Sequence, residues 1–66
     1  MSAAAERLRA FLAAWPDIAV VEVREVLGST PREAGAWMLV SAGAAFGTIG
    51  GGQLEFMAIA RAREAL

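Results

Sequence analysis

The chain has 66 residues, a formal net charge of −1 at pH 7, and neither cysteine nor histidine. These absences exclude a disulfide framework, a thiolate zinc site, a cysteine nucleophile and a Ser-His-Asp triad built within the chain. All six basic residues are arginine, so a lysine-dependent P-loop and Schiff-base chemistry are excluded as well. The balanced charge also argues against a nucleic-acid-binding surface, which would usually be a basic patch.

Hydrophobic residues make up 58% of the chain, and seven glycines come in addition. So much apolar surface is difficult to bury in one small core. We therefore expect residues 1–66 to be a single domain from a longer protein, or a domain that forms a homo-oligomer. The uncharged stretch 34–54 holds six of the seven glycines, which favours a globular segment over a membrane span. Without cysteine or an export signal, we expect a cytoplasmic protein.

The first half of the chain predicts a helix followed by a strand. Ser2 can cap a helix over Ala3–Ala14, in which apolar residues recur at helical spacing, and Pro16 ends it. Residues 18–27 are rich in β-branched side chains and predict a strand.

The second half predicts a hairpin followed by a helix. Residues 36–42 and 45–49 read as two strands that turn at Gly43, and residues 53–66 carry the apolar stripe of a helix. The predicted fold is therefore a small α+β domain in the order helix, strand, β-hairpin, helix. We expect a three-stranded, mainly antiparallel sheet with the helices on one face.

The loop from Gly28 to Gly35 is the first candidate site. Ser29, Thr30 and the guanidinium of Arg32 are suited to a phosphate or another oxyanion. The alternative is a connecting loop in which an exposed Arg32 pairs with Glu33.

Residues 47–55 form the second candidate site, between a strand and a helix. The backbone amides of Gly50, Gly51 and Gly52 at a helix N-terminus could hold an anion. The alternative is a tight turn that only allows close packing. Glu55 also has a structural alternative, because a carboxylate in the first helical turn can accept a hydrogen bond from a free backbone N–H.

The two tryptophans are the third candidate. Trp15 continues the apolar stripe of the first helix and is expected in the core. Trp37 lies at the start of a predicted strand, and the pattern does not show to which face of the sheet its side chain belongs. An exposed tryptophan could stack on a planar ring such as a pterin or a base.

Two motifs together carry a resemblance to a known family. They are GSTPREAGAWMLV at residues 28–40 and GTIGGGQLE at residues 47–55. In this order and at this distance they resemble the N-terminal domain of the XdhC/CoxI family, the xanthine dehydrogenase accessory proteins. The resemblance covers about residues 18–62. It implies a chaperone that binds the molybdenum cofactor (molybdopterin) transiently and hands it to a molybdenum hydroxylase such as xanthine dehydrogenase.

The resemblance also implies a cysteine desulfurase as a further partner and a C-terminal Rossmann-like domain in full-length members. Our leading hypothesis is a non-catalytic, cofactor-binding domain with no protein ligand to the metal, since the pterin dithiolene holds the molybdenum. The expected cofactor-binding residues are Ser29, Thr30, Arg32, Gly50, Gly51, Gly52 and Glu55, the last as the residue that orders the loop. One alternative is a docking module that binds no ligand. Another is an enzyme completed by a further domain.

Overall fold

A computed structural model describes residues 2–24 and 34–66 of the chain. Two helices and three strands follow one another as α1 (Ala3–Ala14), β1 (Ala19–Glu22), β2 (Trp37–Val40), β3 (Ala45–Gly47) and α2 (Gly52–Glu64). The strands form one antiparallel sheet in the order β1-β2-β3. The predicted α+β fold is confirmed.

Helix α1 has the predicted bounds because local signals determine both of its ends. The Ser2 hydroxyl oxygen accepts the backbone N–H groups of Ala4 at 3.2 Å and Ala5 at 3.4 Å. At the other end Trp15, which precedes Pro16, is extended with φ −123° and ψ 125°, as a residue before proline prefers.

Strands β2 and β3 are shorter than predicted, since a local turn ends β2 and a contact with α2 ends β3. The predicted end of the first strand, residues 25–27, lies outside the described residues. Ser41 follows β2 and forms the turn to β3, where its hydroxyl oxygen accepts the N–H of Ala44 at 3.0 Å. Ile49 lies beyond β3 because its N–H donates to the carboxylate of Glu55 on α2, at 2.9 Å.

The core lies between one face of the sheet and helix α2. Met38, Val40 and Ile49 are buried there, and the inner side of α2 covers them with Ala58, Ile59 and Ala62. The C-terminal part of the helix is tied to the sheet by the Arg63 Nε–H, which donates to the Ser41 carbonyl at 2.9 Å. Helix α2 therefore runs from one end of the sheet to the other.

Helix α1 contacts the opposite face of the sheet. Leu39 and Phe46 are cross-strand partners, so both side chains point away from the face that carries Met38 and Val40. The ring of Phe11 in α1 lies 6.0 Å from that of Phe46, centroid to centroid. In this detail the structure corrects the expectation of both helices on one face, because the strand alternation divides the apolar side chains between two faces.

Much apolar surface stays exposed in this thin molecule, which measures 37 × 32 × 17 Å along its principal axes. On α2 the exposed apolar side chains are Leu54, Phe56 and Met57. Within residues 2–24 and 34–66, neither helix is long and apolar enough to cross a membrane.

Candidate functional site

The antiparallel register brings several candidate residues to one end of the sheet. Glu22 at the end of β1 pairs with Trp37 at the start of β2, and Gly47 at the end of β3 pairs with the next residue of β2. Helix α2 begins after a short turn from the same end. We call this region, formed by Glu22, Trp37 and the turn from Gly47 to Gly52, the glycine-rich end.

The first predicted loop joins the sheet at the same end. The chain leaves β1 through Val23 and returns to β2 through Gly35, and the N–H of Gly35 donates to the Val23 carbonyl at 2.8 Å. Ser29, Thr30 and Arg32 lie between these two positions in the sequence but outside the described residues. We expect the two candidate loops to lie close together, with Arg32 near Gly51, but this expectation falls outside the described residues.

The turn before α2 depends on consecutive glycines. Gly50, Gly51 and Gly52 all have positive φ, at 119°, 77° and 74°. Gly51, the N-cap of α2, combines its φ with a ψ of −167°, a region that only glycine populates readily. No atom of residues 2–24 or 34–66 lies within 4 Å of a Cβ built at Gly51, and the positive φ is by itself a reason for glycine there.

Glu55 organises this turn through one carboxylate oxygen. Its Oε1 accepts the N–H of Ile49 at 2.9 Å and that of Gly51 at 3.0 Å, and it also accepts the hydroxyl of Thr48. The Thr48 hydroxyl oxygen in turn accepts the N–H of Gly50 at 3.0 Å. The side chain thus joins the end of the strand, the turn and the helix in one hydrogen-bond network.

This network bears on the predicted anion site. The N–H of Gly50 donates to Thr48 and that of Gly51 donates to Glu55, so both amides are engaged within the turn. The contact with Gly51 is the one described by the alternative interpretation of Glu55, in which its carboxylate accepts a free amide. Amides in the first turn of a helix lack intrahelical acceptors, which leaves the N–H groups of Gly52, Gln53 and Leu54 for a ligand or for water. Thr48 is not among the predicted site residues, although a hydroxyl two residues before a glycine is a recognisable turn signal.

The structure resolves the orientation of both tryptophans. Trp15 is half-buried. Its ring packs so close to Gly43 that a Cβ at residue 43 would lie 2.8 Å from a ring atom. Trp37 is 46% exposed and stacks on Phe46, with ring centroids 6.5 Å apart and an interplanar angle of 26°. An exposed indole ring therefore lies at the glycine-rich end, on the face of the sheet that carries Leu39 and Phe46.

The charged groups of the described residues do not form a metal site. No group of three or more aspartate and glutamate side chains in residues 2–24 and 34–66 could hold a metal ion. Among the described residues, the glycine-rich end offers backbone amides that can donate hydrogen bonds and an exposed indole that can contact a flat ring.

Comparison with known proteins gives one finding. No curated protein and no solved structure is significantly similar to the chain. The model of the XdhC and CoxI family matches residues 11–66, which include the glycine-rich end, the rings of Phe11 and Phe46, and both motifs. The chain therefore belongs to the XdhC and CoxI family.

Proposed function

We propose that this chain is a non-catalytic domain that holds the molybdenum cofactor and delivers it to a molybdenum hydroxylase such as xanthine dehydrogenase. Family membership supports a role in the maturation of these enzymes, because XdhC and CoxI proteins are accessory proteins rather than catalysts. The step from maturation to cofactor delivery is our proposal.

The preshaped turn at the N-terminus of α2 is the observation that carries the proposal. The cofactor combines a phosphate group with a fused pterin ring. The N–H groups of Gly52, Gln53 and Leu54 and the positive end of the helix dipole are suited to the phosphate. The chemistry of this donor set fits an organic anion, and the metal would be held by the dithiolene of the pterin.

A cation is needed beside this turn, since the carboxylate of Glu55 already lies within it. Two negative groups at one turn repel each other unless a positive charge is near. Arg32 has the guanidinium fork that binds phosphate well, and Ser29 and Thr30 add hydroxyl donors. In the proposal these three residues complete the anion site, and Glu55 keeps Gly50 and Gly51 in place.

An anaerobic titration of the purified protein with molybdenum cofactor tests the proposal. We expect saturable binding by the wild type and a loss of about tenfold or more in affinity for Arg32→Ala, since a charged hydrogen bond is lost. Arg61→Ala is the matched control, because Arg61 is an exposed arginine in the last turn of α2. Equal binding by both variants and the wild type would remove Arg32 from the site.

A second candidate function is a docking module that binds no cofactor. The exposed apolar side chains of Leu54, Phe56 and Met57 favour it. Their partner would be a second copy in a homo-oligomer, a Rossmann-like domain, the hydroxylase or a cysteine desulfurase. In this case Phe56→Ser reduces association in sedimentation experiments, whereas Arg32→Ala has no effect on it.

A further inference from the structure

The aromatic face beside the glycine-rich end carries an inference about ligand recognition. Three rings lie in a row across it, from Phe11 to Phe46 to Trp37. The stack fixes the indole at the outer end of the row, where nearly half of its surface remains exposed. An exposed, already ordered indole offers a flat surface with little ordering cost on binding.

A carboxylate lies next to this indole. Glu22 is the cross-strand partner of Trp37, and such partners point to the same face with Cβ atoms about 5 Å apart. Glu22 is exposed, and within residues 2–24 and 34–66 no hydrogen bond or ion pair engages its side chain. Its two oxygens can accept a pair of parallel N–H groups.

From this juxtaposition we infer that Trp37 and Glu22 form a subsite for a fused heteroaromatic ring with a 2-amino-4-oxopyrimidine edge. The ring would stack on the indole, and the amino group and adjacent ring N–H would donate to the carboxylate. A pterin and a guanine both present this edge. The inference rests on the proposed function, because it assigns the ring of the cofactor to one side of the turn and leaves the phosphate to the other.

The position of the subsite agrees with this division. Trp37 and Thr48 each lie one residue beyond the paired positions Met38 and Gly47. A Cβ on Gly47 would come within 3.1 Å of the Trp37 carbonyl oxygen, so the turn begins directly beside the tryptophan backbone. The Trp37 backbone therefore adjoins the turn, and in this proposal a single ligand reaches from the indole around this end of the sheet to the turn.

Titration with three soluble ring compounds tests the inference. The probes are pterin, guanosine and lumazine, which has a 2-oxo group in place of the 2-amino group of pterin. The readouts are the dissociation constant and the shift of the Trp37 indole N–H resonance. We expect pterin to bind at least about tenfold more tightly than lumazine, since lumazine leaves the Glu22 carboxylate without one of its donors. Guanosine presents the same edge as pterin and should also bind more tightly than lumazine, and weaker binding of guanosine than of lumazine would contradict recognition of this edge.

Two variants separate stacking from edge recognition. Trp37→Leu should weaken pterin binding about tenfold or more, whereas Trp37→Phe should retain most of it, because a phenyl ring still stacks. Glu22→Gln should abolish the preference for pterin over lumazine. Phe56→Leu is the control, since Phe56 is 71% exposed and lies on α2. It should leave the dissociation constants of pterin and lumazine unchanged.

The opposite results would overturn the inference. If the NMR spectrum of Trp37→Leu shows a folded protein and this variant binds pterin as tightly as the wild type, the indole is not the stacking surface. Equal binding of pterin and lumazine by the wild type would exclude Glu22. Adding Arg32→Ala keeps the two proposals apart, since it should weaken binding of a phosphate-bearing pterin but not of pterin itself.

Discussion

The carboxylate of Glu55, in the first turn of α2, accepts the backbone N–H of Ile49 at 2.9 Å. Ile49 is 4% exposed and belongs to the core. One side chain thus satisfies the backbone donor of a buried residue and also accepts the N–H of Gly51 in the glycine turn.

Glu55→Ala should therefore destabilise the protein by about 2 kcal/mol, because it leaves the N–H of Ile49 without its acceptor. Chemical denaturation measures the change, and hydrogen exchange should show faster exchange at the amides of Ile49 and Gly51. Glu64→Ala is the control, since the Glu64 side chain is 75% exposed and its ion pair with Arg61, at 3.7 Å, is exposed as well. An equal effect of both substitutions would contradict the role given to Glu55.

Gly51 allows a test of backbone conformation without crowding. L-Alanine at this position should cost about 1–3 kcal/mol, because its backbone disfavours φ 77° with ψ −167°. D-Alanine has the mirror-image preference and should cost less in a chemically synthesised chain. Thermal unfolding of the two forms gives the comparison. If both isomers destabilised the fold equally, conformational strain would not be the reason for glycine there.

Gly43 and Trp15 form a pair that a double-mutant cycle can test. A Cβ at residue 43 would lie 2.8 Å from Cη2 of Trp15, so Gly43→Ala should destabilise the fold by about 1–2 kcal/mol through overpacking. Trp15→Phe removes that atom, and the alanine should then cost less in the double variant. Additive free energies of unfolding would show that the alanine acts elsewhere.

Arg63 should contribute to stability more than Arg61, although both are exposed arginines of α2. The Nε–H of Arg63 donates to the carbonyl of the buried Ser41 at 2.9 Å, and a single hydrogen bond is worth about 1 kcal/mol. We expect Arg63→Met to lower the free energy of unfolding by about that amount. Arg61→Met should change it by less than about 0.5 kcal/mol, since its contact with Glu64 is an exposed ion pair. The reverse order would refute this ranking.

Local signals explain why the sequence predicted α1 so well. Ser2 and Pro16 act within a few residues of the helix ends, and the bounds Ala3–Ala14 are the predicted ones. The end of β3 was predicted too far out because it depends on the position of α2. Ile49 was assigned to a strand, but its N–H bonds to Glu55, and that pairing is set by how α2 lies against the sheet.

The same distinction applies to the candidate site. The glycine run and Glu55 are visible as a motif, and their mutual contacts lie within seven residues. The pairing of Glu22 with Trp37 joins strands that are separated by the residues of the first loop. Composition and spacing contain no measure of that register, so Glu22 could not be recognised as a neighbour of Trp37.

Helix α2 is attached at two points, through Glu55 at its start to the turn after β3 and through Arg63 near its end to the turn after β2. Eight residues separate them, or about 12 Å along the axis. A helix held at two such points can neither slide nor rotate by one residue unless both attachments break. A binding partner that approaches its outer side would thus meet Phe56 and Met57 on a backbone of fixed register, and would lose little entropy in ordering it.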